Sequence, residues 1–247
     1  MCAIVGWSGK AKRGQWRTVH RLLTELLTAS AVRGTDATGF AAIDGKQGFI
    51  AHKRDVRSPV FVASNSSWNA LSHATCVIAH CRAATHGTPR DNDNNHPHVG
   101  DDVAVIVNGI AHNYKEVAEK CGLNLVTECD SEIVLRLVER QDNPAMGLGD
   151  ALAELRGGMA AAVLDMRRET VWLARDDGRP AWLLKLAGVN GHFFCSTHDI
   201  AIRSIERTFG KSGNRLIEIL IPLSPRTVVA LSADGRLMAS LETKRSA

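Results

Sequence analysis

The sequence predicts an α+β fold of mainly antiparallel sheets covered by helices. Apolar runs of strand length outnumber amphipathic helical stretches, and they come in hairpin-like pairs rather than in β-α-β alternation. With 247 residues, of which 45% are hydrophobic, the chain is long enough to bury a sizeable core, and no Pro- or Ser-rich linker divides it. We therefore expect a single domain over residues 1–247.

The first elements are read from apolar spacing and from turn residues. A short buried strand opens the chain at Cys2–Trp7. Apolar residues then recur at helical spacing over Trp16–Leu27, and Gly34 is placed to end that helix. Asp44-Gly45 lies between two strand-like runs and predicts a hairpin. Residues 54–73 show no clear period, so no element is assigned there.

The middle of the chain contains a long polar stretch between two strands. A strand over Thr75–His80 runs into Arg82–Asp102, which is almost devoid of apolar residues, and long loops of this kind are often functional. A second strand, Val103–Val107, is predicted to end in a turn at Asn108-Gly109. Helices are expected at about 113–120, from about 130, at 151–155 and at 198–207. Further strands are expected at 159–164, 170–175, 181–187, 192–196, 216–220, 226–232 and 236–241.

Composition excludes several classes of function. The net charge is +4, no basic run occurs and aromatic residues make up 5%, which argues against nucleic-acid binding. No apolar run approaches the roughly 18 residues that span a bilayer, and no secretory segment is visible. The six cysteines form no Cys-x-x-Cys pair. We expect a cytoplasmic protein with free thiols, no membrane contact and no cofactor.

Cys2 is the first candidate for chemistry because it follows the initiator methionine. If Met1 is removed, Cys2 carries a nucleophilic thiol and a free α-amine that can act as a base near neutral pH. The alternative is that Cys2 is an ordinary buried residue of a strand, since cysteines are often buried.

Three other groups of residues could bind a ligand or stabilise charge. Arg82 offers a planar fork for a carboxylate, unless it forms a structural ion pair. Asn108 and Gly109 can point an amide and a backbone N–H at one oxygen, as in an oxyanion hole, although Asn-Gly is also a common turn. Asp130 can receive an ammonium group, or it can simply cap the following helix.

Four histidines, His80, His86, His96 and His98, raise the question of a metal site. Their spacing matches no compact ligand motif, and His96 and His98 fall in an irregular loop. From the sequence we therefore predict no metal site.

Seven short motifs, in chain order, resemble those of one enzyme family. They are Cys-Ala-Ile-Val-Gly at 2–6, Arg-Gly-Thr-Asp-Ala-Thr-Gly at 33–39, His-Cys-Arg-Ala-Ala-Thr-His-Gly at 80–87, Asn-His-Pro-His at 95–98, Val-Asn-Gly at 107–109, Cys-Asp-Ser-Glu at 129–132 and Ala-Arg-Asp-Asp-Gly-Arg-Pro at 174–180. Together they resemble the glutaminase domain of class II glutamine amidotransferases, the N-terminal-nucleophile type. The likeness covers residues 2 to about 240.

The resemblance implies a fold and a role for each matched residue. The implied fold is a four-layer αββα sandwich of two mainly antiparallel sheets. Cys2 would attack the side-chain amide of L-glutamine, with its own α-amine as base. The other implied roles are an oxyanion hole at Asn108 and Gly109, a carboxylate clamp at Arg82, an ammonium site at Asp130, a closing loop at Thr85 and His86, and orientation of Cys2 by Arg33.

The sequence also departs from the family pattern. Ala3, Ala83 and Val107 replace a glycine, a large aromatic residue and a histidine of the motifs, and Cys129 stands in place of a threonine. We see no acceptor domain in the 247 residues, and so expect a separate synthase subunit that takes the ammonia. The alternatives are an N-terminal-nucleophile amidase for another amide, a glutamine-sensing subunit without activity, and a metal-binding module.

Overall fold

The protein is described by a computed structural model that covers residues 1–242. The last five residues of the expected 1–247 domain lie outside the described residues. Every strand pairing is antiparallel among the paired strands of the two sheets, as the sequence predicted.

Two sheets form the centre of the molecule. Sheet A has seven strands in the order β11-β9-β10-β1-β4-β2-β3, and sheet B has six in the order β13-β12-β8-β7-β6-β5. The strands are β1 (Ala3–Gly9), β2 (Ala37–Asp44), β3 (Gly48–Arg54), β4 (Ala74–Arg82), β5 (His98–Val99), β6 (Val103–Ala111), β7 (Gly157–Asp165), β8 (Thr170–Arg175), β9 (Trp182–Leu186), β10 (Gly191–Cys195), β11 (Ile217–Pro222), β12 (Thr227–Ser232) and β13 (Leu237–Glu242).

Seven α-helices cover the outer faces of the sheets. They are α1 (Trp16–Ala29), α2 (Ser58–Ser64), α3 (Ser66–Ala70), α4 (Tyr114–Cys121), α5 (Glu132–Glu139), α6 (Pro144–Glu154) and α7 (His198–Phe209). Short 3-10 turns lie at Ser30–Val32, Asn92–Asn94 and Lys211–Leu216.

Three apolar cores give the molecule four layers. One core joins α1, α2, α3 and α7 to the outer face of sheet A, and a second joins α4, α5 and α6 to the outer face of sheet B. The third lies between the sheets, where Ile4 and Ile78 of sheet A meet Ile106 of sheet B. The order helix, sheet, sheet, helix confirms the αββα sandwich.

Helix α1 shows how the apolar pattern places an element. Leu22, Leu23, Leu26 and Leu27 are fully buried against sheet A, which is the face that the helical spacing predicted. The 3-10 turn that follows ends just before Gly34, close to the predicted end.

Two sequence predictions need correction. The unassigned residues 54–73 contain α2 and α3, helices of seven and five residues that are too short to show a clear period. Asn108-Gly109 is not a turn, because β6 continues to Ala111 and pairs with β7 over its whole length. The predicted hairpin at Asp44-Gly45 is present, and a second hairpin joins β12 to β13 at Asp234-Gly235. Over residues 1–242, none of the helices combines the length and the apolar character that crossing a bilayer requires.

Candidate active site

Cys2 lies at the start of β1, the strand at the middle of sheet A. Its sulfur accepts a hydrogen bond from the backbone N–H of Ala83 at 3.3 Å, and its carbonyl oxygen accepts one from Nε of Arg33 at 3.0 Å. The side chain is 9% exposed. Two separate segments thus fix this residue in place, and Arg33 contacts it as expected.

The groups that shift the pKa of the Cys2 thiol include two predicted site residues, Arg82 and Asp130. Burial raises the pKa of the thiol, and this effect outweighs the N–H of Ala83, the N-terminal ammonium and the Arg82 guanidinium, which all lower it. Asp130 raises it further. Arg82 and Asp130 therefore both lie within electrostatic reach of Cys2. A thiol with a raised pKa holds little thiolate at neutral pH, so it needs a base to act as a nucleophile.

The open edge of β6 faces the same region with backbone donors. Met159, which lies opposite Gly109, donates its N–H to Oδ2 of Asp176 and accepts the backbone N–H of Asp176 at its carbonyl oxygen. Both backbone groups of Met159 therefore point toward Asp176, and Gly109 and Met159 form a non-hydrogen-bonded pair. The N–H of Gly109 consequently points away from β7. Ala111, two residues on, points its N–H the same way and donates it to Asp130 Oδ2 at 2.7 Å.

Asn108 places a buried amide without a partner on this strand. The side chain is 1% exposed, and among the described residues neither Oδ1 nor Nδ2 has a hydrogen-bond partner. The neighbouring carbonyl of Val107 lies 2.9 Å from Nε2 of His80. A buried amide without a hydrogen-bond partner is unfavourable unless a ligand bonds to it. Nδ2 of Asn108 is therefore available to donate a hydrogen bond to an oxygen of a ligand.

Asp130 does not cap a helix, which corrects one of the two sequence hypotheses. Helix α5 begins at Glu132 with Ser131 at its N-cap, and no side chain caps it. The Asp130 carboxylate instead accepts the N–H of Ala111, and its Oδ1 lies 3.4 Å from Nδ1 of His86. At 2% exposure, this carboxylate is a buried anion beside the open strand edge.

Arg82 holds the polar loop that follows β4. Its side chain is 2% exposed; Nη1 donates to Oδ1 of Asn95 at 2.8 Å, while Nη2 donates to the carbonyls of His86 and, at 3.1 Å, of Gly87. The guanidinium is therefore engaged with its own loop. A carboxylate clamp at Arg82 stays a prediction. Both N–H groups of Nη2 are engaged, so a clamp that uses Nη2 requires the loop to release one of these bonds.

Thr85 and His86 lie at the surface of this loop. Thr85 is exposed, whereas His86 is half-buried and its ring packs on Tyr114 at 5.7 Å between centroids. Gly87 adopts a φ of +70°, and a Cβ there would meet the side chain of Asn94. A cavity of about 750 Å³ lies between His86 and α4. This cavity is open to solvent, and its lining includes His86 and Gly87 of the loop.

Sequence reasoning missed two residues at this site. Oδ2 of Asp36 accepts the N–H of Ala84 at 2.8 Å and so anchors the loop next to Cys2. Arg179 lies within electrostatic reach of Arg33 and lowers its pKa, although burial of Arg33 is the larger cause. Both residues fall inside quoted motifs, which is the signal that could have identified them.

The four histidines do not gather as one set. His80, His96 and His98 pack in a row, with ring centroids 4.0 Å and 4.6 Å apart and interplanar angles of 41° and 68°. Burial lowers the pKa of His80 to about 3. His86 contacts Tyr114 and Asp130 instead.

Comparisons with known proteins show which sequences this chain is similar to. Residues 80–200 match the family described as "Glutamine amidotransferase domain". The glutamine–fructose-6-phosphate aminotransferase of Pectobacterium atrosepticum is 31% identical over 217 residues, which are 85% of this chain and 34% of that protein. The same enzyme of Escherichia coli K12 is 30% identical over 216 residues. The chain thus spans about a third of the length of these relatives.

Solved structures show the same fold at lower identity. The glutamine phosphoribosylpyrophosphate amidotransferase of Bacillus subtilis aligns with a TM-score of 0.71 at 20% identity, covering 97% of this chain and 49% of that one. A glutamine aminotransferase class-II domain protein from Silicibacter pomeroyi aligns with a TM-score of 0.60 at 14% identity, covering 98% of this chain and 100% of that one. These likenesses confirm the predicted fold.

Proposed function

Since its sequence and its fold both match the glutaminase domain of class II glutamine amidotransferases, we propose that this chain hydrolyses the side-chain amide of L-glutamine through Cys2. The products are glutamate and ammonia. The observation that carries the proposal is that one loop joins the three residues: Ala83, next to Arg82, donates its N–H to the Cys2 sulfur at 3.3 Å, and His86 lies 3.4 Å from the Asp130 carboxylate.

Recognition of glutamine uses the two buried charges. The Asp130 carboxylate receives the α-ammonium group through Oδ1, the oxygen that is not bonded to Ala111. Arg82 receives the α-carboxylate when the loop gives up its bonds to Nη2. Thr85 and His86 then close over the substrate. This pair of charges favours an α-amino acid over other amides.

The reaction begins with removal of Met1, which frees the α-amine of Cys2. The amine takes the thiol proton, and the sulfur attacks the amide carbon. Nδ2 of Asn108 and the N–H of Gly109 donate to the oxyanion of the tetrahedral intermediate, and Arg33 holds the Cys2 carbonyl. The C–N bond breaks, the proton goes to the leaving nitrogen as ammonia, and a γ-glutamyl thioester remains. Water then attacks the thioester and releases glutamate and the thiol.

The ammonia that the reaction releases needs an acceptor. The relatives named above are amino- and amidotransferases, so their names imply an acceptor for the nitrogen. We propose that a synthase subunit receives the ammonia from this chain, because free ammonia is protonated in neutral water and then is no longer a nucleophile. Residues 1–247 would act as one glutaminase domain. The six free thiols suit a reducing cytoplasm.

A substitution at Cys2 tests the hydrolysis. Cys2→Ala should lower ammonia release from glutamine to background, because no other group on the chain replaces the nucleophile. The matched control is Cys121→Ala, which removes a half-buried free thiol at the end of α4 and should keep the wild-type rate. A Cys2→Ala protein that releases ammonia at the wild-type rate would exclude the mechanism.

Assays with asparagine and with glutamine derivatives lacking either α-group separate a glutaminase from an amidase of another substrate.

A further inference from the structure

A cluster of buried side chains with metal-ligand chemistry lies beside the candidate active site. One donor atom each from His96, His98 and Cys129 can be chosen so that all three lie within 4.8 Å of one another. Each of the three side chains is 3% exposed. The sequence did not reveal this cluster, because Cys129 is 31 residues from His98 and joins it only in the folded chain.

The imidazoles of this cluster lack hydrogen-bond partners. Among residues 1–242, both ring nitrogens of His96 and Nε2 of His98 are buried without a partner. Burying a polar atom without a partner is unfavourable, and native proteins rarely leave several such atoms together. A ring nitrogen without a hydrogen-bond partner is free to bind a metal ion.

The three side chains come from two loops that the fold already holds together. His96 and His98 lie just before and within β5, where His98 pairs with Val105 of β6. Cys129 precedes α5. Oδ1 of Asn94 accepts the N–H of Glu128 at 2.8 Å and joins the two loops next to the cluster.

We propose that His96, His98 and Cys129 bind a divalent cation of the zinc type. Two imidazoles and one thiolate are the ligands that Zn²⁺ prefers over Ca²⁺ or Mg²⁺, and a water completes a tetrahedron. The Cys129 thiol loses its proton to solvent as the sulfur–metal bond forms.

Nearby charges set the limits of this site. Lys53 donates to the carbonyls of Asn95 at 2.8 Å and Pro97 at 3.3 Å, and its charge opposes a cation, as does that of Arg82. Glu132 contributes a negative charge that favours one. The thiolate of Cys129 supplies the remaining compensation, so the ion should depend on this residue above all. The ring of His80 packs against that of His96. Its Nε2 is hydrogen-bonded to the Val107 carbonyl, so we do not include His80 among the ligands.

The test measures metal content in a Cys2→Ser background, because an N-terminal cysteine can itself chelate metal ions. The protein is incubated with Zn²⁺ under reducing conditions, desalted, and analysed by elemental mass spectrometry and titration calorimetry. We expect one ion per chain. Cys129→Thr and His98→Asn should each weaken binding by about 100-fold or more, since even loss of a group behind a ligand costs up to about 100-fold. Cys121→Thr, the matched control, should bind as its parent does.

Cobalt gives a second readout that does not depend on the folding of a variant. Co²⁺ bound by Cys129 should show a thiolate-to-metal charge-transfer band in the near ultraviolet, in the parent and in the Cys121→Thr protein. Sub-stoichiometric zinc in the parent, or a cobalt spectrum without this band, would overturn the proposal. So would zinc binding that is unchanged in a folded Cys129→Thr protein. None of these results depends on whether the chain hydrolyses glutamine.

Discussion

At the scale of single residues, Asn108 is informative because its environment is unfavourable without a ligand. Its amide is 1% exposed and makes no hydrogen bond within the described part of the chain. Asn113, five residues on, is a useful contrast: its Oδ1 accepts the N–H of Arg156 and its Nδ2 donates to the carbonyl of Glu154. The Asn108 amide has no hydrogen-bond partner among the described residues, whereas the Asn113 amide uses both its oxygen and its nitrogen.

Asn108→Leu should therefore separate activity from stability. We expect kcat for glutamine hydrolysis to fall about 10²–10³-fold, the usual cost of losing one oxyanion donor. The free energy of unfolding should stay the same or rise, because a buried polar group without a partner is replaced by an apolar one of similar size. Steady-state kinetics and urea denaturation measure the two quantities.

Asn113→Leu is the matched control with the opposite outcome. It breaks two hydrogen bonds and should lower the free energy of unfolding by about 1–3 kcal/mol, while the rate per folded molecule is unchanged. If Asn108→Leu destabilises the protein as much as Asn113→Leu does and leaves kcat intact, Asn108 is structural.

Sequence reasoning succeeded at residues inside motifs and failed where tertiary contacts decide. Cys2 and Arg33 were placed together by the motifs, and the structure puts them in contact. The helix-capping hypothesis for Asp130 was wrong because the carboxylate bonds to Ala111 of a neighbouring strand, a contact that no local spacing contains. The grouping of Cys129 with His96 was missed for the same reason.

At the scale of elements, the β2–β3 hairpin has hydrogen bonds within its turn and others to a segment distant in sequence. Asp44 accepts the N–H groups of Lys46 and Gln47 within the turn, as Asp-Gly predicted. Its other oxygen accepts those of Ser72 and His73, both at 2.9 Å, from the segment before β4. This second pair of bonds, which no local pattern in the sequence indicates, holds the hairpin turn against the segment before β4.

Asp44→Asn should lower stability in a way that depends on pH. Burial would raise the pKa of Asp44, but the N–H groups of His73, Ser72, Lys46 and Gln47 together hold it below its usual value. The stabilising effect is then complete above the unfolded pKa of about 3.9 and is lost as the pH falls through the folded value. We expect the variant to be less stable by about 1–3 kcal/mol at neutral pH, since its NH₂ group would face backbone donors.

Urea denaturation at neutral pH and at about pH 3 measures this difference. The gap between wild type and Asp44→Asn should narrow at the lower pH, whereas the exposed control Asp55→Asn should match wild type at both. A gap that is constant over the whole range would show that the carboxylate charge is not what stabilises the hairpin.

At the scale of the whole molecule, the core between the two sheets holds the site together. β1, which follows Cys2, belongs to sheet A, and β6, which carries Asn108, belongs to sheet B. Phe194 is fully buried between the sheets, and a Cβ on Gly6 would lie 2.3 Å from its ring. Gly6 leaves the space that the ring fills. The sequence predicted the strands, but the four-layer order followed from the family resemblance and not from periodicity.

Phe194→Ala should destabilise the protein strongly. Removing a buried ring leaves a cavity and costs about 3–5 kcal/mol. Guanidinium denaturation should show this as a lower transition midpoint, while Val60→Ala, at a position that is 53% exposed, should change stability by less than about 0.5 kcal/mol. A Phe194→Ala protein as stable as the Val60→Ala control would mean that the inter-sheet core is not the main contact between the layers.

The most direct test of the mechanism is to identify the residue that an electrophilic analogue of glutamine modifies. The purified protein is treated with a chloroketone analogue of glutamine, with and without excess glutamine, and peptides are mapped by mass spectrometry while activity is followed. We predict one label per active chain, on the sulfur of Cys2 in a peptide that lacks Met1 and has a free α-amine, with activity lost in proportion and glutamine protecting. Labelling of another cysteine in step with activity, or full activity in chains that retain Met1, would contradict the account.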